Sequence, residues 1–205
     1  MDDSIPARRR AVAIAGHSGD VDRAQQAVFD AEPTVREAAL GALERLGALD
    51  DATLTAALTD DQVTVRRRAA ELAAKHPAID LIGVLSDDDP RVVEVAAWAC
   101  GEHESDRAEI VNRLISLATT AEEPLVRESA VAALGAIGDL RAVDTIIAGT
   151  TDKPAVRRRA VLALAPFLGD DDIGGRVDAA IDRALEDRDW QVRQAAEDLR
   201  RITGS

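Results

Sequence analysis

One phrase recurs along the chain and limits what it can fold into. An acidic turn, often ending in Pro, leads into Val-Arg and then into an Ala/Leu-rich run. It reads Asp30-Ala-Glu-Pro-Thr-Val35-Arg36, then Asp60-Asp-Gln-Val-Thr-Val65-Arg66, then Asp87-Asp-Asp-Pro-Arg-Val92-Val93. Ala121-Glu-Glu-Pro-Leu-Val126-Arg127, Thr151-Asp-Lys-Pro-Ala-Val156-Arg157 and Asp187-Arg-Asp-Trp-Gln-Val192-Arg193 follow. The Val anchors lie 30, 27, 34, 30 and 36 residues apart. A partial copy opens the chain at Ile5-Pro6-Ala7-Arg8. A period of this length marks a stack of small units, each too small to bury a core alone.

The physics of one copy predicts two helices. Val126, Ala130, Leu134 and Ile137 fall on one stripe of an α-helix. Pro124 precedes the stripe, where its fixed φ and missing N–H do no harm. Glu122 and Glu123 sit near the positive end of the helix dipole. Gly138-Asp139 closes the helix, and a second helix from Arg141 turns Val143, Ile146 and Ile147 inward. The fold class that follows is all-α: a right-handed α-solenoid of about six to seven two-helix repeats. It forms a single domain over residues 1–205, with anchors near Ala7, Val35, Val65, Val92, Val126, Val156 and Val192.

Composition agrees. Aromatic residues make up 2% of the chain with no Tyr, so Ala, Leu, Val and Ile must build the core. The formal charge is −13, which disfavours loose association with nucleic acid or anionic membrane. The cations are 23 Arg against 2 Lys, and Asp outnumbers Glu 25 to 13. Such a surface suits a cytoplasm of molar salt, and Arg over Lys also follows from a GC-rich genome. Cys100 is the only cysteine and is expected to be a buried, inert thiol. The N-terminal run lacks the pattern of a secretory signal, and no stretch reaches the ~18 apolar residues of a membrane span. A cytoplasmic monomer is the expectation.

The phrase from 124 to 143, Pro-Leu-Val-Arg-Glu-Ser-Ala-Val-Ala-Ala-Leu-Gly-Ala-Ile-Gly-Asp-Leu-Arg-Ala-Val, resembles the short HEAT-like repeat first associated with phycobilisome lyases. Residues 33–49 and 154–169 also match it; 90–106 and 190–202 are degenerate copies. The resemblance implies that the Val-Arg helix of each pair lines the concave face. It implies that Arg36, Arg66, Arg127, Arg157 and Arg193 pair with an acid of a neighbouring turn, with Asp30, Asp60 and Asp152 as candidates. Val93 replaces that Arg, so the ladder should be interrupted there.

Positions that the repeat does not require carry the functional expectation. Arg triplets stand at Arg8–Arg10, Arg66–Arg68 and Arg157–Arg159. The second and third members rotate off the core stripe. Arg9, Arg10, Arg67, Arg68, Arg158 and Arg159 are therefore candidate partner contacts, or else solvated partners of nearby acids. Glu37, Ala38, Glu94, Val95, Glu128 and Ser129 occupy the same positions in other repeats. Trp98 is either an exposed contact or packing over Ala96, Ala97 and Ala99; Trp190 is expected to pack at the cap.

Catalytic chemistry finds no support. His17, His76 and His103 are scattered, and Glu102-His103-Glu104 is the only His-Glu pairing. HEAT-repeat hydroxylases that hold two irons need several such pairings. Acidic runs at Asp87–Asp89 and Asp170–Asp172 lack the spacing of a Ca²⁺ loop. No cofactor and no metal are expected. The first function expected is a non-catalytic protein-interaction scaffold. The alternatives are nucleic-acid binding in an Arg-rich groove, as in HEAT-like DNA glycosylases, and a bilin-lyase-like chaperone role.

Overall fold

The computed structural model describes residues 4–103 and 107–203. It falls into two compact units, one ending at Asp80 and the other starting at Leu81. Among the described residues all regular structure is helical.

The first unit holds α1 (Ile5–Ser18), α2 (Val21–Ala27), α3 (Pro33–Leu46), α4 (Asp51–Ala57) and α5 (Val63–Ala73). The second holds α6 (Pro90–Glu102), α7 (Ala108–Thr120), α8 (Pro124–Ile137), α9 (Val143–Gly149), α10 (Pro154–Ala163), α11 (Gly174–Leu185) and α12 (Trp190–Thr203). The helices that carry the repeat anchors stack on one another: α1 on α3 on α5 in the first unit, α6 on α8 on α10 on α12 in the second. The remaining helices form a second layer against them, α2 on α1 and α3, α4 on α5, α7 on α8, α9 on α10 and α11 on α12. Each unit thus has the layering of an α-solenoid.

Local chemistry sets the helix ends. Pro occupies the first turn of α1, α3, α6, α8 and α10. Gly47 and Gly138 close α3 and α8 at φ 64° and 69°, the left-handed region where a side chain would be strained. Asp20 and Asp50 cap α2 and α4 by accepting the N–H groups of Arg23 and Thr53 at 3.1 and 2.7 Å. α2, α4 and α9 are seven residues long, too short to persist without the neighbours they pack on.

The core is the anchor stripe repeated. Val35, Ala39 and Leu43, then Val126, Ala130 and Leu134, then Val156, Ala160 and Ala163 are buried in turn. A fully buried Leu or Val contributes ~1.5–3 kcal/mol, and the array sums many such terms. Small residues set how closely the anchor helices stack. A β-carbon at Gly101 would lie 2.9 Å from the Ala133 Cα, and one at Gly135 would lie 2.6 Å from the Ala163 Cα. The same position in α1 is Gly16, opposite Ala42, whose Cα would lie 2.9 Å away.

One repeat departs from the two-helix expectation. Before α6 the second-layer helix is reduced to a 3-10 turn at Val84–Ser86. This is the shortest anchor spacing, 27 residues, and Pro77 and Gly83 interrupt it. Ile79, Leu81 and Leu85 still bury their side chains, so the turn fills the place of a helix.

Candidate functional site

The Arg of the repeat phrase, alone or at the head of a triplet, is spent on structure. Arg36 donates from Nε and one terminal nitrogen to Asp60 at 2.8 and 2.6 Å. Its other terminal nitrogen reaches the carbonyls of Asp30 and Ala31 at 2.9 and 3.2 Å. Arg127 repeats this with Asp152 at 2.7 and 2.8 Å, and with the carbonyls of Ala121 and Glu122. Arg157 holds Asp187 through two bonds of 2.8 Å, and Arg8 holds Asp30 at 2.9 and 3.2 Å. Each Asp also accepts a backbone N–H of its own turn, as Asp60 does from Gln62 at 2.9 Å. One carboxylate therefore shapes a turn and ties it to the preceding repeat.

The electrostatics follow. Hydrogen bonds from Arg8, Arg127 and Arg157 hold the carboxyls of Asp30, Asp152 and Asp187 below the usual range. At Asp60 burial works the other way, and the hydrogen bonds from Arg36 and Gln62 outweigh it. Arg66 bonds the carbonyls of Asp60 and Asp61 at 2.9 and 3.3 Å, and Arg193 that of Asp187 at 2.7 Å. Two members of this ladder, Arg8 and Asp187, were not singled out from the sequence. Arg8 follows Ala7 rather than Val, so it read as part of a triplet. Asp187 sits in the most degenerate copy.

The interruption at Val93 is two-sided. Val93 is buried, and the Asp of the following turn is also replaced, by Ala121. The ladder's guanidinium and its carboxylate are thus lost together at that step.

The second triplet members, and Arg10 after the first of them, point away from the core. Arg9, Arg10, Arg67 and Arg158 are exposed, and none has an ion pair or hydrogen bond among the described residues. Arg68 is half-buried, donates to Glu71 at 2.8 Å and lies across Gly41, 3.0 Å from where a β-carbon would stand. Val95, which sequence places with the free positions, is instead buried, on a helix that packs closely against α8. Trp190 is 65% exposed rather than packed at the cap; it borders a shallow groove with Arg158, Leu162 and Gln194.

In the second unit, Arg159 does not extend a positive surface. Its Nε lies 3.8 Å from Glu128 in a concavity of about 430 Å³ on the anchor-helix layer. Trp98, 41% exposed, forms one wall, and Glu94 and Glu102 complete the rim. Sequence recorded Glu94 and Glu128 as variable positions. Only the register of α6 against α8 brings them round Trp98.

The remaining polar groups are local. His76 Nε2 lies 2.9 Å from Glu44, which Lys75 also approaches at 3.2 Å. Cys100 is a buried thiol outside any disulfide. Glu104 lies outside the described residues, so the Glu102-His103-Glu104 pairing is seen only in part. Among the described residues no three His, Cys, Asp or Glu side chains converge as a metal site would require, and no helix is long and apolar enough to cross a membrane.

A family model for HEAT repeats matches residues 80–165 and again residues 111–199. The phycocyanin operon protein Z of Pseudanabaena tenuis (strain PCC 7409), itself uncharacterized, is 31% identical over 168 residues. That match covers 73% of this chain and 81% of that protein. Among solved structures, YIBA of Escherichia coli superposes with a TM-score of 0.71 at 19% identity, over 98% of this chain and 78% of that one. A crystallised engineered protein gives 0.63 at 20% identity, over 87% and 94%. At these identities the two structures share the fold alone.

Proposed function

We propose that this chain, which belongs to the HEAT-repeat family, is a non-catalytic scaffold that holds a protein partner on the exposed side of its anchor helices. The observation that carries the reading is the division of labour within the triplets. Arg8 and Arg157 are fully engaged by Asp30 and Asp187, while Arg9 and Arg158, one residue on, have no partner among the described residues. Unengaged guanidinium groups fixed on a rigid helix layer are pre-organised for a partner's acidic groups.

The test is affinity capture from the native host at native salt, comparing wild type with Arg9→Ala/Arg67→Ala and with Arg158→Ala/Trp98→Ala. Exposed Arg23 of the second layer serves as the control site. Partners lost with either pair and kept with Arg23→Ala support the reading. An unchanged set of captured proteins defeats it.

Two further readings each have one observation behind them. The unpaired Arg9, Arg10 and Arg67 favour nucleic acid, which a salt-dependent duplex titration would detect and which no binding at low salt would sink. The operon in the relative's name favours a bilin-lyase-like role, which a changed bilin absorbance on mixing would reveal.

A further inference from the structure

We propose that the concavity around Trp98 is a socket for a cationic side chain, an Arg or Lys of a partner segment. The inference rests on the scaffold reading and narrows the partner's chemistry at one place.

Three carboxylates, Glu94, Glu102 and Glu128, surround a cavity of about 430 Å³ that contains a single cation, Arg159. Cavities of ~300–1,000 Å³ are the size that accepts a discrete ligand group. Small residues, Gly101, Ala132, Ala133 and Ala136, complete the lining, so the space comes from missing side chains. The wall is Trp98, whose ring face carries partial negative charge and attracts a cation laid on it.

The carboxylates retain capacity. Glu94 accepts one hydrogen bond, from Ser129 at 3.3 Å. Glu128 faces Arg159 at 3.8 Å, beyond hydrogen-bond reach, and the Arg159 Nε bonds no acceptor although it is buried. Glu102 has no partner among the described residues. An anion entering here meets three like charges and the wrong face of an indole. A guanidinium or ammonium meets complementary charge on each side, and no rearrangement of the anchor helices is required.

Arg159 gives the proposal its sharpest test, because the two signs of ligand predict opposite effects. For an anionic ligand Arg159 is the binding residue; for a cationic one it is an internal competitor. The probe is a capped tri-arginine peptide, with capped tri-glutamate as its counterpart. Both are titrated at low salt against full-length protein carrying Trp190→Phe, so that Trp98 is the only tryptophan reporting.

Tri-arginine should shift the Trp98 fluorescence saturably, and the affinity should fall with added salt. Trp98→Phe, followed by calorimetry, should weaken binding by ~3-fold. Glu128→Gln should weaken it by about 10-fold. Arg159→Ala should tighten it by ~3-fold as the competing charge is removed. Glu102→Gln, on an exposed side chain, gives a second carboxylate variant whose folding is not in question. No saturable response to tri-arginine, or weaker binding in Arg159→Ala, overturns the socket. Tri-glutamate binding that shifts the Trp98 fluorescence and is lost with Arg159→Ala also overturns it, while leaving the scaffold reading in place.

Discussion

Removing Asp187 tests the ladder where it is most buried. The Arg157 side chain is 7% exposed and that of Asp187 15%. Arg157 makes two bonds of 2.8 Å to Asp187 and one of 2.9 Å to the Asp152 carbonyl. Asp187→Ala strips the two charged bonds, each worth ~1.5–3 kcal/mol, and leaves a guanidinium in a site too closed to hydrate it fully. Breaking one side of a buried pair costs ~3–5 kcal/mol. Asp187 also accepts the Asp189 N–H at 2.8 Å, so the turn before α12 loosens as well. A loss of about 4 kcal/mol is expected, a large part of the ~5–15 kcal/mol that holds most domains together. The assay is urea unfolding at pH 7, read by far-UV circular dichroism and by Trp190, the first residue of α12, in a Trp98→Phe background. Because repeats communicate through their neighbours, the Trp190 signal should move first. Arg157→Met/Asp187→Ala should recover at least about half of the loss, since no charge is then left buried. Asp30→Ala should cost only ~1 kcal/mol, because its partner Arg8 is 30% exposed. The reasoning is refuted if Asp187→Ala unfolds within ~1 kcal/mol of wild type, or if the double variant equals the sum of the singles.

The ladder carboxylates Asp30, Asp60, Asp152 and Asp187 all titrate below their ordinary range when folded. A group depressed in this way adds stability that is complete above its unfolded value of ~3.9 and is lost as pH falls through the folded value. The urea midpoint should therefore hold between about pH 7 and 5 and drop steeply below ~4; a flat profile down to pH 3 would contradict it. Gly135→Ala should destabilise by ~1–3 kcal/mol despite better helix propensity, because its β-carbon would stand 2.6 Å from the Ala163 backbone. Gly175→Ala in α11, with nothing within 4 Å, should stabilise by ~0.4–1 kcal/mol, and thermal melts of the two should move in opposite directions. Arg158→Ala should leave stability within ~0.5 kcal/mol, whereas Arg157→Ala one residue earlier should lower the urea midpoint markedly.

The fold was legible because the repeat phrase states it many times. Val, Ala and Leu at helical spacing name the buried stripe, and Pro and Gly name its ends. Where the phrase degrades, the reading loses detail: the second-layer helix before α6 became a 3-10 turn in the shortest repeat. The candidate site was legible only in part, because its contacts join residues one repeat apart. Arg9 and Arg158 could be read as surplus to the repeat. The partner of each structural Arg depends on the turn of the following copy, and in the last pair that turn is irregular. The acidic rim around Trp98 combines Glu94 and Glu128, 34 residues apart, whose meeting depends on how closely Gly101 lets α8 approach.

The ladder also bears on how such an array can lengthen or shorten. Each intact copy carries an Asp in its turn and an Arg in its helix, and the bond forms between the Arg of one copy and the Asp of the next. Any tandem duplication or deletion in register therefore presents a matched junction at once, with no compensating change elsewhere in the chain. The Val93/Ala121 step is the exception: a copy spliced in there would bring an Arg or an Asp to a neighbour that lacks its complement. Loss of both partners together makes that junction silent, and it marks a seam at which copies of this chain are not interchangeable.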